Sequence, residues 1–196
     1  MTCLAPLGGV LLLLTLLYGQ GDALTRHILL LREKSPNLSL VMGGLTDATA
    51  DVLYGMYIVL FIWGLARGDQ RLVRLTLSFA LVQLCVTVLL VQGVKFAVGR
   101  PRPLPAFLDA GYAPFVFSSA YHSFPSGHTA EITGAASALS TWFCKPQITL
   151  LMGLLIALVG FSRIFLSMHH LSDVVAGALL GVLASLLIHY LSRGPS

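Results

Sequence analysis

Charged side chains are scarce in this sequence: they make up 10% of its 196 residues, and the formal net charge is only +4. The basic residues are scattered rather than clustered, so no nucleic-acid-binding surface is expected. Cysteine is scarcer still. Cys3, Cys85 and Cys144 lie in or beside apolar stretches without metal-ligand spacing, which argues against both a disulfide framework and a zinc site. Internal repeats and low-complexity segments are absent as well. What abounds is apolar character: 56% of residues are hydrophobic and the mean hydropathy is +0.85, far above an ordinary soluble domain.

Crossing a bilayer takes about 20 mainly apolar residues. Candidate stretches occur at residues 4–18, 47–66, 75–94, 128–143, 147–165 and 171–191, leaving little chain for a soluble domain. The expectation is therefore an all-α integral membrane protein, a six-transmembrane-helix bundle forming one domain over residues 1–196. The first stretch is short, like a secretory signal, but lacks the basic n-region of one and is read as a retained helix. "GDALTRHILLLREKSPNLSLVMGGLTDATAD" is expected to connect the first two spans along the membrane surface. In "GRPRPLPAFLDAGYAPFVFSSAYHSF" repeated prolines forbid a continuous helix and predict a loop. Gly177 and Gly181 form a small-xxx-small pair suited to close packing of the last helix.

Alternating connectors divide the twelve lysines and arginines five to seven between the two sides. The larger group contains Lys95, Arg100, Arg102 and Arg163; if these serve a site rather than a loop, the count becomes five to three the other way. The "RGDQRLVR" turn and both termini then face the cytoplasm under the positive-inside rule.

The polar residues that do occur gather at span ends. Lys95, Arg100 and Arg102 follow the third span, Ser126, Gly127 and His128 open the fourth, Arg163 closes the fifth, and His169 and Asp173 open the sixth. Because successive spans alternate in direction, all these ends lie on one face. Cations beside a glycine-bearing helix N-terminus favour a phosphate, with Ser126 a good N-cap residue. Arginine can fork onto two phosphate oxygens, while lysine supplies a point charge. Asp173 stands four residues after His169, a spacing that lets the carboxylate fix the ring tautomer and leave the other nitrogen to attack phosphorus. His128, from another helix, could protonate the departing alkoxide.

These residues resemble a known family. "KFAVGRPRP" places Lys95 six residues before Arg102–Pro103, "PSGH" covers residues 125–128, and "SRIFLSMHHLSD" carries Ser162, Arg163, His169 and Asp173. The order and spacing are similar to the three-part signature of the type 2 phosphatidic acid phosphatases, which share their core site with vanadium haloperoxidases. The resemblance implies a cofactor-free, metal-independent phosphatase of membrane lipid phosphates. In it His169 would form a phosphohistidine, Asp173 would orient it and His128 would protonate the leaving group. Lys95, Arg102, Ser126, Gly127 and Arg163 would hold the phosphoryl oxygens. It also implies a bacterial inner membrane location with the site at the extracytoplasmic interface.

Several ionisable residues fall outside that pattern. Arg100 is a candidate for a second phosphate or a carbonyl oxygen, or else for a headgroup or structural role, and Glu131, one turn below His128, for orienting that ring, for facing a polar cavity or for a helix–helix hydrogen bond. Asp47, Asp51 and Tyr54 are expected to serve capping and packing. A lipid phosphotransferase and a noncatalytic lipid-binding or transport protein are the rival readings; the histidine pair with its aspartate argues against the latter.

Overall fold

The computed structural model of the protein describes residues 2–19, 21–107 and 109–193, and among them there is no β-strand. After a short 3-10 turn, α1 spans Ala5–Tyr18, α2 Asp22–Lys34 and α3 Pro36–Arg67. Then come α4 over Gln70–Val98, α5 over Gly127–Phe143, α6 over Pro146–Phe165 and α7 over Leu171–Ser192.

Four helices, α3, α4, α6 and α7, are long and apolar enough to cross a membrane. A fifth crossing results if α1 and α2, which meet at a 95° bend, are counted together. Six crossings were expected, and the difference lies in the first and fourth stretches, the 14 residues of α1 rising only about 21 Å. At about 1.5 Å per residue, the 17 residues of α5 rise about 25 Å, short of a ~30 Å hydrocarbon core. The segment expected to connect the first two spans is helical. In α2, Leu24 and Ile28 are buried one turn apart while Arg26, Glu33 and Lys34 stay exposed, so the helix lies with one face on α1, α3 and α6. Pro36, at a position where a missing N–H costs little, starts α3 well ahead of residue 47. The resulting 32-residue helix is longer than a bilayer needs, and its first turns form a wall beyond the expected span.

Asp69 caps α4 by accepting from the Arg71 and Leu72 backbone N–H groups at 3.0 and 3.2 Å. Residues Leu84–Leu90 of α4 wind as a π-helix. At the centre stands α5, packed most closely against α7 and α6 and touching α3 and α4 as well. Small residues permit this. A Cβ on Gly181 would stand 2.5 Å from Thr133 Cβ, and one on Gly177 would run into the Ser126 carbonyl. The expected close packing of the last helix is thus present, with α5 as its partner. Polar cross-links sit inside the bundle: the Tyr57 hydroxyl donates to the Ala135 carbonyl at 2.9 Å, and Thr46 Oγ1 lies 2.5 Å from Ser162 Oγ. Leu150, Leu154, Leu179, Leu183 and Leu186 point outward, as side chains facing lipid do. All three cysteines are free.

Candidate active site

The loop between α4 and α5 is built by folding back on itself. Gly99 ends α4 with φ 58°, and the Ala113 carbonyl occupies the space a Cβ there would need. Backbone bonds then pair the two limbs: Ala113 N–H to Gly99 O at 2.8 Å, Arg102 N–H to Ala120 O at 2.8 Å and Ser123 N–H to Arg100 O at 3.1 Å. The proline-rich limb carries Arg100 and Arg102, and the returning limb delivers Ser123 to the start of α7.

Asp173 is fully buried and takes donors on both oxygens. Arg100 Nη1 lies 2.6 Å from Oδ1; the Ser123 hydroxyl and the His170 backbone N–H donate to Oδ2 at 2.5 and 2.8 Å. A buried carboxylate persists when paired and hydrogen-bonded in this way. Arg100 Nη1 also donates to Ser172 Oγ at 2.7 Å, so its charge is engaged within the protein rather than held out for a ligand.

His169 is 2% exposed. Its Nδ1 lies 2.6 Å from the Ser123 carbonyl but 3.9 Å from Asp173. A carbonyl can only accept, so Nδ1 carries the proton and Nε2 keeps its lone pair. Burial, with Arg163 and Lys95 nearby, pushes the His169 imidazole well below its usual pKa, so the ring is neutral. The direct His169–Asp173 contact expected from the i, i+4 spacing is replaced by a relay. Asp173 holds the Ser123 hydroxyl, and the same residue's carbonyl holds the ring.

Arg163, Lys95 and Arg102 act electrostatically on both His169 and His128, which brings residues from α4, its following loop, α5, α6 and the α6–α7 loop to one place. Arg102 Nη1 donates to the Met168 sulfur at 3.0 Å, while the buried Nε atoms of Arg102 and Arg163 lack an acceptor among the described residues. Buried unpaired guanidinium donors are costly unless an anion completes them. Lys95 reaches the α5 N-terminus: a Cβ on Gly127 would stand 3.3 Å from Nζ. Ser126 sits at the N-cap position of α5, but its hydroxyl pairs with Thr129 Oγ1 at 2.9 Å instead of capping a backbone N–H. Its own N–H donates to the Asp173 carbonyl at 3.0 Å, fastening the start of α5 to the start of α7.

The match to the PAP2 superfamily model runs over residues 71–194. The chain belongs to the PAP2 superfamily. It is 29% identical over 170 residues to a lipid A 1-phosphatase of Rhizobium johnstonii, covering 79% of this chain and 68% of that one. It is 28% identical over 178 residues to phosphatidylglycerophosphatase B of Bacillus subtilis, covering 85% and 80%. Its fold is that of a crystallised transmembrane PAP2 type phosphatidylglycerolphosphate phosphatase from Bacillus subtilis, with a TM-score of 0.65 at 23% identity over 100% of this chain and 98% of that one.

Two cavities are lined in part by the loop that joins α6 to α7 in this candidate site. One, of about 300 Å³, is lined by Arg100, Ser167, His169 and His170 together with Leu24 and Ile28 of α2. The other, of about 480 Å³, is lined by Arg32, Asp47, Arg102, His128, Arg163 and Met168. Arg32 and Asp47 come from α2 and α3, outside the region shared with the PAP2 model. Asp47 Oδ1 lies 3.9 Å from His128 Nε2, so this carboxylate, expected to serve capping, stands beside the ring instead. Glu131 does not take that place: its carboxylate bonds the Tyr54 hydroxyl, and its carbonyl accepts from Gln83 Nε2 at 3.1 Å, both helix-to-helix links.

Sequence reasoning missed Ser123, Asp47, Arg32 and Met168. Only Met168 had a signal, its place next to His169 in the third motif.

Proposed function

We propose that this protein is a metal-independent lipid phosphate phosphatase working through a phosphohistidine on His169. The observation that carries the reading is the His169 ring, protonated on Nδ1 by its bond to the Ser123 carbonyl and leaving Nε2 as nucleophile beside three cations. Family membership and relatives named as lipid phosphatases support the hydrolase class. Lys95, Arg102, Arg163 and the Gly127 end of α5 hold the phosphoryl oxygens, and Ser126 closes that cradle from behind. Nε2 attacks phosphorus as the ester P–O bond breaks, and His128 gives its proton to the departing oxygen. Water then attacks phosphorus, the P–N bond breaks, and His128 takes the water's proton as inorganic phosphate leaves. Asp173 is a positioning residue, acting through Ser123.

A substrate whose tail stays in the bilayer fits a site at one end of an apolar bundle. A prenyl or glycerolipid phosphate, or the 1-phosphate of lipid A, meets that description. We read α1 and α5 as completing six crossings, α5 being so enclosed by its neighbours that it needs no full-length lipid-facing surface. We place the site on the extracytoplasmic side of a bacterial inner membrane, because Arg67, Arg71, Arg74, Lys145 and Arg193 collect at the opposite end.

Release of free phosphate from lipid phosphates in detergent, without an added acceptor and with chelator present, tests the reading. Wild type is expected to turn over and His169→Ala to lose turnover while still binding lipid. Dependence on added magnesium, or a His169→Ala protein with near-normal rates, would overturn it.

A further inference from the structure

We infer that Arg32 is a specificity-determining residue that takes a second phosphate, carried by the lipid's leaving group just beyond the scissile phosphoryl; this rests on the phosphatase reading above. Arg32 lies in α2 and is half-buried. Its Nη1 donates to the Leu166 carbonyl at 3.1 Å, which fixes the guanidinium against the α6–α7 loop. One of five N–H donors is thereby accounted for, and among the described residues no carboxylate pairs with the group.

The side of the site on which Arg32 stands decides what it meets. His169 borders one of the two cavities beside the α6–α7 loop, and His128 borders the other. In an in-line displacement the attacking and departing atoms lie on opposite sides of phosphorus. The cavity of His128, the proton donor to the departing oxygen, is therefore the leaving-group side, and Arg32 lines that same cavity.

Charge balance points the same way. Arg32, Lys95, Arg102 and Arg163 bring four positive charges to the site and Asp47 one negative charge, leaving three positive, while Arg100 and Asp173 neutralise each other. A terminal phosphate monoester carries about −1.5 to −2 at neutral pH, so a simple monoester leaves about one positive charge unanswered. A lipid diphosphate, or a terminal phosphate on a headgroup that also contains a phosphodiester, supplies it. Both present the same chemistry, a second phosphate a few bonds from the first.

The test compares kcat/KM for substrates sharing one tail: prenyl diphosphate against prenyl monophosphate, and phosphatidylglycerophosphate against phosphatidic acid. Arg32→Gln should lower kcat/KM for a member carrying the second phosphate by about tenfold more than for its partner, the scale of a lost charge-assisted hydrogen bond. Arg32→Lys should restore much of the difference. Selectivity lost in one pair alone would identify which kind of second phosphate Arg32 reads. Equal losses in both pairs would mean that Arg32 only fastens α2 to the loop, and would overturn the inference. So would a wild type that prefers the single-phosphate member of each pair, with the phosphatase reading left standing. A wild type releasing phosphate from none of the four lipids would overturn both.

Discussion

His128 and His169 sit under the same three cations but differ in exposure and in partners. His169 is 2% exposed, bonded through Nδ1 to a backbone carbonyl and kept neutral by burial and neighbouring cations. The His128 side chain is 38% exposed, lines a cavity and has a largely exposed carboxylate, Asp47, 3.9 Å away. On the phosphatase reading proposed above, the difference matches the two tasks asked of one residue type. A nucleophile must be aimed and must keep its lone pair, which favours a locked, neutral ring. A group that gives and takes protons each turnover must exchange them with its surroundings, which favours a carboxylate neighbour and access to water.

The comparison breaks most completely at the nucleophile. His169→Ala should abolish phosphate release, a loss of more than about 10³-fold, read as free phosphate from detergent-solubilised lipid. Replacing the acid should cost less and depend on the substrate. His128→Ala is expected to lower kcat by about 10²- to 10⁴-fold on an alkyl phosphate, and markedly less on an aryl phosphate whose leaving group needs no proton. Equal losses on both substrates would remove His128 from the leaving-group side.

Asp173→Asn should act on stability as well as rate, since it strands Arg100 beside a buried neutral amide. The Arg100 side chain is 21% exposed and keeps some hydration, so a cost of about 1–3 kcal/mol is expected, visible as a lowered thermal midpoint in detergent. Ser123→Ala keeps the carbonyl that holds His169 and removes only the hydroxyl bond to Asp173. About 1 kcal/mol of stability and a modest loss of rate are expected.

The smallest effect sharpens the contrast through pH. In the unfolded chain the His169 imidazole titrates near 6.5, and in the folded protein its pKa lies well below that. Protons therefore bind the unfolded state preferentially, so stability is fully present above pH 6.5 and declines as pH falls through and below it. Thermal midpoints measured from pH 7.5 to 5 should fall for wild type and fall less for His169→Gln.

Much of the site was legible because its residues come in short motifs at span ends, and alternating helix direction is enough to put those ends together. Lys95, Arg102, Gly127, His128, Arg163, His169 and Asp173 needed no more than that. Arg100 had two readings, because an arginine looks the same in sequence whether it awaits an anion or neutralises a buried aspartate, and its pairing with Asp173 shows the structural one. Glu131 had two readings, and only the position of Tyr54 on a neighbouring helix separated them. Ser123, Asp47 and Arg32 were invisible for a different reason. Their contacts depend on a loop doubling back, on α3 beginning early and on α2 folding against α6, none of which has a periodic signature.

By itself the sequence determined the solvent and the chemistry. Apolar runs of about 20 residues, without the alternation of barrel strands, are helical in a bilayer, where a helix satisfies every backbone polar group within the segment. Cations, glycine and imidazoles gathered at span ends point to a phosphate. Only the tertiary structure decided which group holds which: a carbonyl rather than a carboxylate on His169, an arginine on Asp173, and an aspartate beside His128. Those pairings turn on gaps of about an ångström between segments far apart in the chain, and hydrogen bonds and ion pairs are made or lost over distances of that size.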